Sequence, residues 1–217
     1  MLTLHEPALW VTIIQTLNAR ASMTPARFHV MSLLADSIVL IYPFFLIIAY
    51  VHSMAKHDRR MKEYSLRIAA SALVAGLINL LIQQFLYKER PETALEVSQG
   101  LLLPHLPTMS FPSDHAAVSM AFAYAVMYFA CIVVIAPKQY MKRLFRRGMF
   151  LWVGGIVMSI ARIAVGVHWP TDIFAGWVIG IIAVALVARF PSSRFAPIIQ
   201  LQEKVWGAII GRKAPTK

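Results

Sequence analysis

Five long apolar stretches limit what this chain can fold into more than any other feature of it. A helix needs about 20 apolar residues to cross a hydrocarbon core roughly 30 Å thick. Stretches near Val30–Val51, Leu66–Tyr87, Ala116–Ala136, Met149–Val167 and Ile173–Ala188 reach or approach that length. The expectation is an all-α, polytopic membrane helix bundle with about five to six transmembrane or membrane-embedded helices. The sixth element is Pro7–Leu17, apolar but too short to span, which fits an interfacial or partly inserted helix. Composition agrees: 59% of residues are hydrophobic and 14% charged, against about 45–50% and 25% in soluble domains. The chain reads as one membrane-embedded domain over residues 1–217, with 1–29 an interfacial N-terminal segment and 190–217 a cytoplasmic tail. No cleavable signal peptide is expected. The single cysteine, Cys131, has no partner for a disulfide and reads as a small packing residue.

The formal net charge of +11 raises the question of nucleic acid, but its distribution answers otherwise. Sixteen of the 21 Lys and Arg residues fall in the loops Ala55–Arg67 and Pro137–Gly148 and in the tail after Ala188. Basic residues next to apolar runs follow the positive-inside rule, so that side is expected to be cytoplasmic. Membrane lipids with anionic headgroups, not nucleic acid, are the expected partner of this charge. The Lys88–Asp114 loop and the His168–Asp172 turn then face outward.

Three polar clusters converge on that outer face: Arg90-Pro91, Pro112-Ser113-Asp114-His115, and Arg162 with His168 and Asp172. Charged and imidazole groups at a membrane boundary are costly unless paired or functional. Guanidinium groups match phosphate oxygens in geometry. Ser113 opens a helix, where its hydroxyl and the free N–H groups make an anion cradle. His168 can act as nucleophile if one ring nitrogen is free and the other is held, and Asp172, four residues on, is placed to hold it. His115 is then the general acid for the leaving oxygen. The expected reaction is in-line phosphoryl transfer through a phosphohistidine, completed by water. A transporter would instead show polar residues deep in several spans and a repeat between halves. Neither is evident.

These clusters resemble the signature of the type 2 phosphatidic acid phosphatase superfamily, whose pattern is K-x6-RP, PSGH and SR-x5-H-x3-D. The chain departs from it at three positions: Gln83 in the Lys place, Asp114 in the Gly place and Ala161 in the Ser place. Ser110-Phe111-Pro112-Ser113-Asp114-His115 is similar to the SFPSDH segment of BcrC-type undecaprenyl pyrophosphate phosphatases, and Asn79-Leu80-Leu81-Ile82 and Leu103-Pro104-His105 resemble other segments of that group. The resemblance implies a phosphatase acting on undecaprenyl pyrophosphate at the outer leaflet. Other lipid substrates (lipid A, phosphatidic acid, phosphatidylglycerol phosphate) and a phosphotransferase remain alternatives. It implies His168, His115 and Asp172 as catalytic residues. Arg90, Ser113 and Arg162 are expected around the phosphate, with Asp114, Lys88 and Gln83 as further members of the site. It implies no metal or other cofactor, and the sequence lacks a carboxylate cluster suited to Mg²⁺.

Overall fold

The computed structural model describes residues 2–3, 6–95, 97, 110–133 and 138–209. The described chain is almost entirely helical. Its helices are α1 (Ala8–Ala21), α2 (Pro25–Ser37), α3 (Ile41–Ala55), α4 (Arg59–Gln83), α5 (Pro91–Ala94), α6 (Asp114–Ile132), α7 (Lys138–Ala164), α8 (Pro170–Ala188) and α9 (Ala196–Ile209). Among the described residues, five helical stretches are long and apolar enough to cross a membrane: Pro25–Ala55, which joins α2 to α3, then α4, α6, α7 and α8. Pro43 explains the joint in the first of these. It lacks the N–H that would bond the Val39 carbonyl, and the chain passes from α2 to α3 through a 3-10 turn at Ile38–Leu40.

Sequence and structure differ at several boundaries. The basic segment expected as the loop Pro137–Gly148 is helical from Lys138 and forms the first turns of α7. Hydropathy reports where lipid begins, not where a helix begins, and Lys, Arg, Gln, Leu and Met are all good helix formers. The expected span Leu66–Tyr87 stops as a helix at Gln83. Beyond it Leu86–Tyr87 forms a two-residue strand, β2, paired in parallel with Leu2–Thr3, β1. The N-terminal segment is therefore tied to the bundle. Asn18 Nδ2 also donates to the Ala164 carbonyl at the end of α7, at 3.0 Å. Residues within 190–217 include α9, which docks through Ile199 and a Lys62–Glu203 ion pair of 2.6 Å. Cys131 is exposed on α6 rather than packed inside.

Helix α6 is the most buried of the five spans and packs against α4, α7 and α8. Its buried face is dominated by alanine: Ala116, Ala117, Ala121, Ala123, Ala125 and Ala130. Opposite lie Gly176 and Gly180 of α8, at GxxxG spacing. A Cβ on Gly176 would sit 2.7 Å from the Ser113 carbonyl oxygen, and one on Gly180 would sit 2.7 Å from that of Ala117. The two backbones touch, which is how membrane helices gain contact without a hydrophobic driving force between them. Large apolar side chains such as Ile48, Leu73, Leu81 and Phe150 point outward, as lipid-facing residues do. The C-termini of α4 and α7 and the N-termini of α6 and α8 share one end of the bundle, where the Ser113 N–H donates to the Asp172 carbonyl at 3.1 Å.

Candidate active site

The polar clusters meet at that end. Helix α7 terminates in a turn that only glycine favours: Gly166 has φ +80°. Its N–H bonds the Ile163 carbonyl, and the Val167 N–H reaches back to that of Arg162. The turn sends His168 back over the helix end, above Arg162. Both side chains are almost wholly buried, as is Asp172 at the start of α8.

His168 Nδ1 lies 2.9 Å from the Ser110 carbonyl oxygen and 3.5 Å from Asp172 Oδ2. A carbonyl can only accept, so Nδ1 carries the hydrogen and Nε2 keeps its lone pair. Nε2 faces Arg162 Nη2 at 3.5 Å. The group expected to hold the ring was Asp172 alone; the nearer acceptor is a backbone carbonyl of the Ser110–Ser113 segment. Asp172 instead anchors that segment, with Oδ2 accepting from Ser110 Oγ and from the Trp169 N–H. Burial pushes the His168 pKa down to about 4; the Asp172 hydrogen bond opposes this and Arg162 adds to it. The ring is neutral at pH 7, as a nitrogen nucleophile must be.

Arg162 Nη1 is held by the Ala35 carbonyl at 3.1 Å and by Asp36 Oδ1 at 3.4 Å. The carboxylate inside the first span is thus a helix–helix contact, and it aims the guanidinium. Arg90 Nη1 donates to the Val167 carbonyl at 2.8 Å. His115, in the first turn of α6, lies within electrostatic reach of Arg162, His168 and Arg90. Ser113 caps α6, accepting from the Ala116 N–H at 3.5 Å. The structure thus gathers His168, His115, Arg162, Arg90, Asp172 and Ser113 around one helix N-terminus.

The other three expected site residues have different contacts. Lys88 Nζ donates to Asp172 Oδ1 at 2.6 Å and to Thr171 Oγ1 at 2.6 Å, and it ion-pairs with Glu6. It sits behind Asp172 instead of projecting to where a phosphate would lie. Gln83 Nε2 donates to Asp114 Oδ1 and to the Pro112 carbonyl, each at 3.2 Å. Asp114 accepts from Gln83 and, at 2.6 Å, from Asn79 Nδ2, so its hydrogen bonds go to two amides of α4. Position 83, where the family pattern has lysine, here holds an amide that braces the second motif.

Sequence reasoning gave no role to Ser110, Glu6 or Thr171, and noted Asn79 only within a resemblance. Asn79 was findable, because it lies four residues before Gln83 on one face of a helix otherwise apolar there. Glu6 left no signal, since its role depends on the N-terminal strand. Leu103-Pro104-His105 lie outside the described residues.

A family model described as the PAP2 superfamily matches residues 64–196, a range that holds every site residue above except Glu6 and the Ala35–Asp36 contact. Undecaprenyl-diphosphatase BcrC of Bacillus subtilis (strain 168) is 28% identical over 187 residues, covering 83% of this chain and 88% of that protein. The putative undecaprenyl-diphosphatase YbjG of Escherichia coli (strain K12) is 24% identical over 172 residues, covering 79% and 77%. The crystal structure of Aquifex aeolicus LpxE aligns with a TM-score of 0.59 at 20% identity, over 87% of this chain and 100% of that one, a likeness of fold.

Proposed function

This chain belongs to the PAP2 superfamily, and we propose that it removes the terminal phosphate of undecaprenyl pyrophosphate at the extracytoplasmic face through a phosphohistidine. Membership and the five apolar helices together make it a multi-pass membrane phosphatase related to undecaprenyl-diphosphatases. One observation carries the mechanism: the His168 ring is tied at Nδ1, which leaves the Nε2 lone pair directed toward Arg162.

In the first step Nε2 attacks the terminal phosphorus. A P–N bond forms and the P–O bond to the inner phosphate breaks, opposite the attacking nitrogen. The lipid monophosphate leaves, taking a proton from His115. The negative charge of the bound substrate favours the protonated form of that imidazole. Arg162, Arg90 and the free N–H groups at the start of α6 hold the equatorial oxygens as charge spreads over them. Asp172 stabilises the positive charge that the phosphorylated ring carries. In the second step His115 takes a proton from water, an O–P bond forms and the P–N bond breaks. Inorganic phosphate is released and His168 is restored.

The substrate reading rests on the SFPSDH segment, on Gln83 where the broader family has lysine, on the run that Asn79 opens, and on the two diphosphatase relatives. The test is phosphate release by the purified protein from undecaprenyl pyrophosphate, lipid A, phosphatidic acid and phosphatidylglycerol phosphate, with chelator present. The pyrophosphate lipid should turn over fastest, unaffected by chelator. Equal turnover of all four, or a preference for another lipid, overturns the substrate. His168→Ala should lower kcat by roughly 10³-fold or more with the fold intact. His115→Ala should cost roughly 10²–10⁴-fold. Unchanged turnover in His168→Ala removes the nucleophile and with it the mechanism.

A further inference from the structure

The end of the bundle remote from the two histidines carries a cleft of about 790 Å³ between α3, the start of α4 and the first half of α7. Its walls are apolar, including Phe45, Ile48, Leu144 and Phe150. Its lining also holds four basic side chains, His52, Arg143, Arg146 and Arg147, and no Asp or Glu. All four are exposed, and among the described residues none of the three arginines has an acidic partner. Two buried cations at this end are instead paired: Lys62 with Glu203 and Arg67 with Glu63. A smaller hollow lined by Gln139, Lys142, Arg143 and Arg146 adjoins it and extends the cationic surface.

An apolar cleft with an unpaired cationic rim, set where lipid-facing helices meet the membrane boundary, complements one kind of molecule: an anion with hydrocarbon tails. We infer that this cleft binds an anionic phospholipid of the leaflet opposite the catalytic pocket. Its phosphate lies among Arg143, Arg146 and Arg147, and an acyl chain lies along Phe45, Ile48 and Phe150. It is not a second reading of the catalytic pocket. Arg146 and Arg162 are sixteen residues apart on α7, about 24 Å along the helix axis. Nor is it only the charge excess of one membrane face, because the basic residues Lys56, Arg59 and Arg60 at the same end do not line this cleft.

The experiment is thermal unfolding of the detergent-solubilised full chain, titrated with phosphatidylglycerol or with phosphatidylcholine. Phosphatidylglycerol should raise the midpoint saturably, by about 3 °C or more, and phosphatidylcholine should not. The triple variant R143Q/R146Q/R147Q should lose the shift while keeping basal phosphatase activity in detergent. A control removing three charges at the same end, K56Q/R59Q/R60Q, should keep it. Ile48→Trp, which fills the cleft and leaves every charge in place, should weaken the shift and covers the case of a triple variant that does not fold. Equal shifts with both lipids, equal loss in the control, or a shift that survives both the triple variant and Ile48→Trp each overturn the site. A shift reproduced by glycerol phosphate alone also overturns it, because the site would then be an anion site without a place for the tail.

Discussion

His168 combines burial with a single fixed tautomer, and both have measurable consequences. A base with a depressed pKa binds fewer protons when folded than when unfolded, here between roughly pH 4 and 6.5. Its contribution to stability is therefore complete above about pH 6.5 and is lost as pH falls toward 4. Imidazole nitrogen shifts of the substrate-free protein should show His168 neutral at pH 5.5, with a midpoint near 4; a midpoint near 6.5 would contradict the buried ring. Lys88 gives a second prediction. If it positions Asp172 from behind, Lys88→Met leaves a buried carboxylate short of a partner, a change that costs about 3–5 kcal/mol in comparable pairs. Turnover should then fall while KM and inhibition by inorganic phosphate barely move, and Lys88→Arg should restore part of kcat. Arg162→Gln should raise KM as well as lower kcat. If Lys88→Met raised KM as Arg162→Gln does, the lysine would belong to the phosphate pocket after all. The sequence made the pocket legible where chemistry forces residue type. Histidine, arginine and aspartate beside apolar runs are too costly to stand there without a charged ligand or a partner. It did not disclose Ser110 as the ring's nearest acceptor, because a backbone carbonyl has no residue type. It did not disclose Glu6 behind Lys88 either, because that contact spans the chain.

At the scale of helices, hydropathy located all five spans but could not say which would be neighbours. That information lies in the small residues. Ala117 and Ala121 of α6 face Gly180 of α8, and a Cβ there would lie 2.7 Å from both the Ala117 oxygen and the Ala121 nitrogen. Both are backbone atoms, so the helices themselves must part. Gly180→Val should lower stability by about 1–3 kcal/mol or more, read as a lower unfolding midpoint in detergent. Activity should fall with it, because the same helix pair aligns the Ser113–Asp172 link one turn beyond Gly176. Gly76 of α4 is the contrast: a Cβ there meets nothing within 4 Å. Gly76→Ala should be neutral or stabilising by up to about 1 kcal/mol. If the two substitutions behaved alike, close α6–α8 packing would not be what holds the site together. The same limit of hydropathy explains the misplaced start of α7. Lys138–Arg147 is too polar to read as a span, yet nothing in it interrupts a helix.

The whole molecule is polarised. The phosphate-handling groups occupy one end, and the unpaired arginines of α7, the loop at Lys56–Asp58 and α9 occupy the other. Helix α9 presents Ile198, Leu201, Val205 and Ile209 outward at helical spacing, while Ile199 and Glu203 face the bundle. A helix with that division is suited to lie along a membrane surface. The proposed function requires that this end, with its excess of Lys and Arg, face the cytoplasm and that the catalytic end open outward. A pyrophosphate headgroup would then meet Arg90 and Arg162 while its hydrocarbon stayed among the exposed leucines and phenylalanines of the spans. The orientation is testable with one cysteine at a time. In a Cys131→Ala background, a cysteine at Glu89, exposed beside the catalytic end, should react in intact cells with a maleimide that cannot cross the cytoplasmic membrane. A cysteine at Lys56, exposed at the other end, should react only after the membrane is opened. The opposite pattern would invert the protein, put the pocket on the cytoplasmic side, and remove any access to a lipid presented at the outer leaflet.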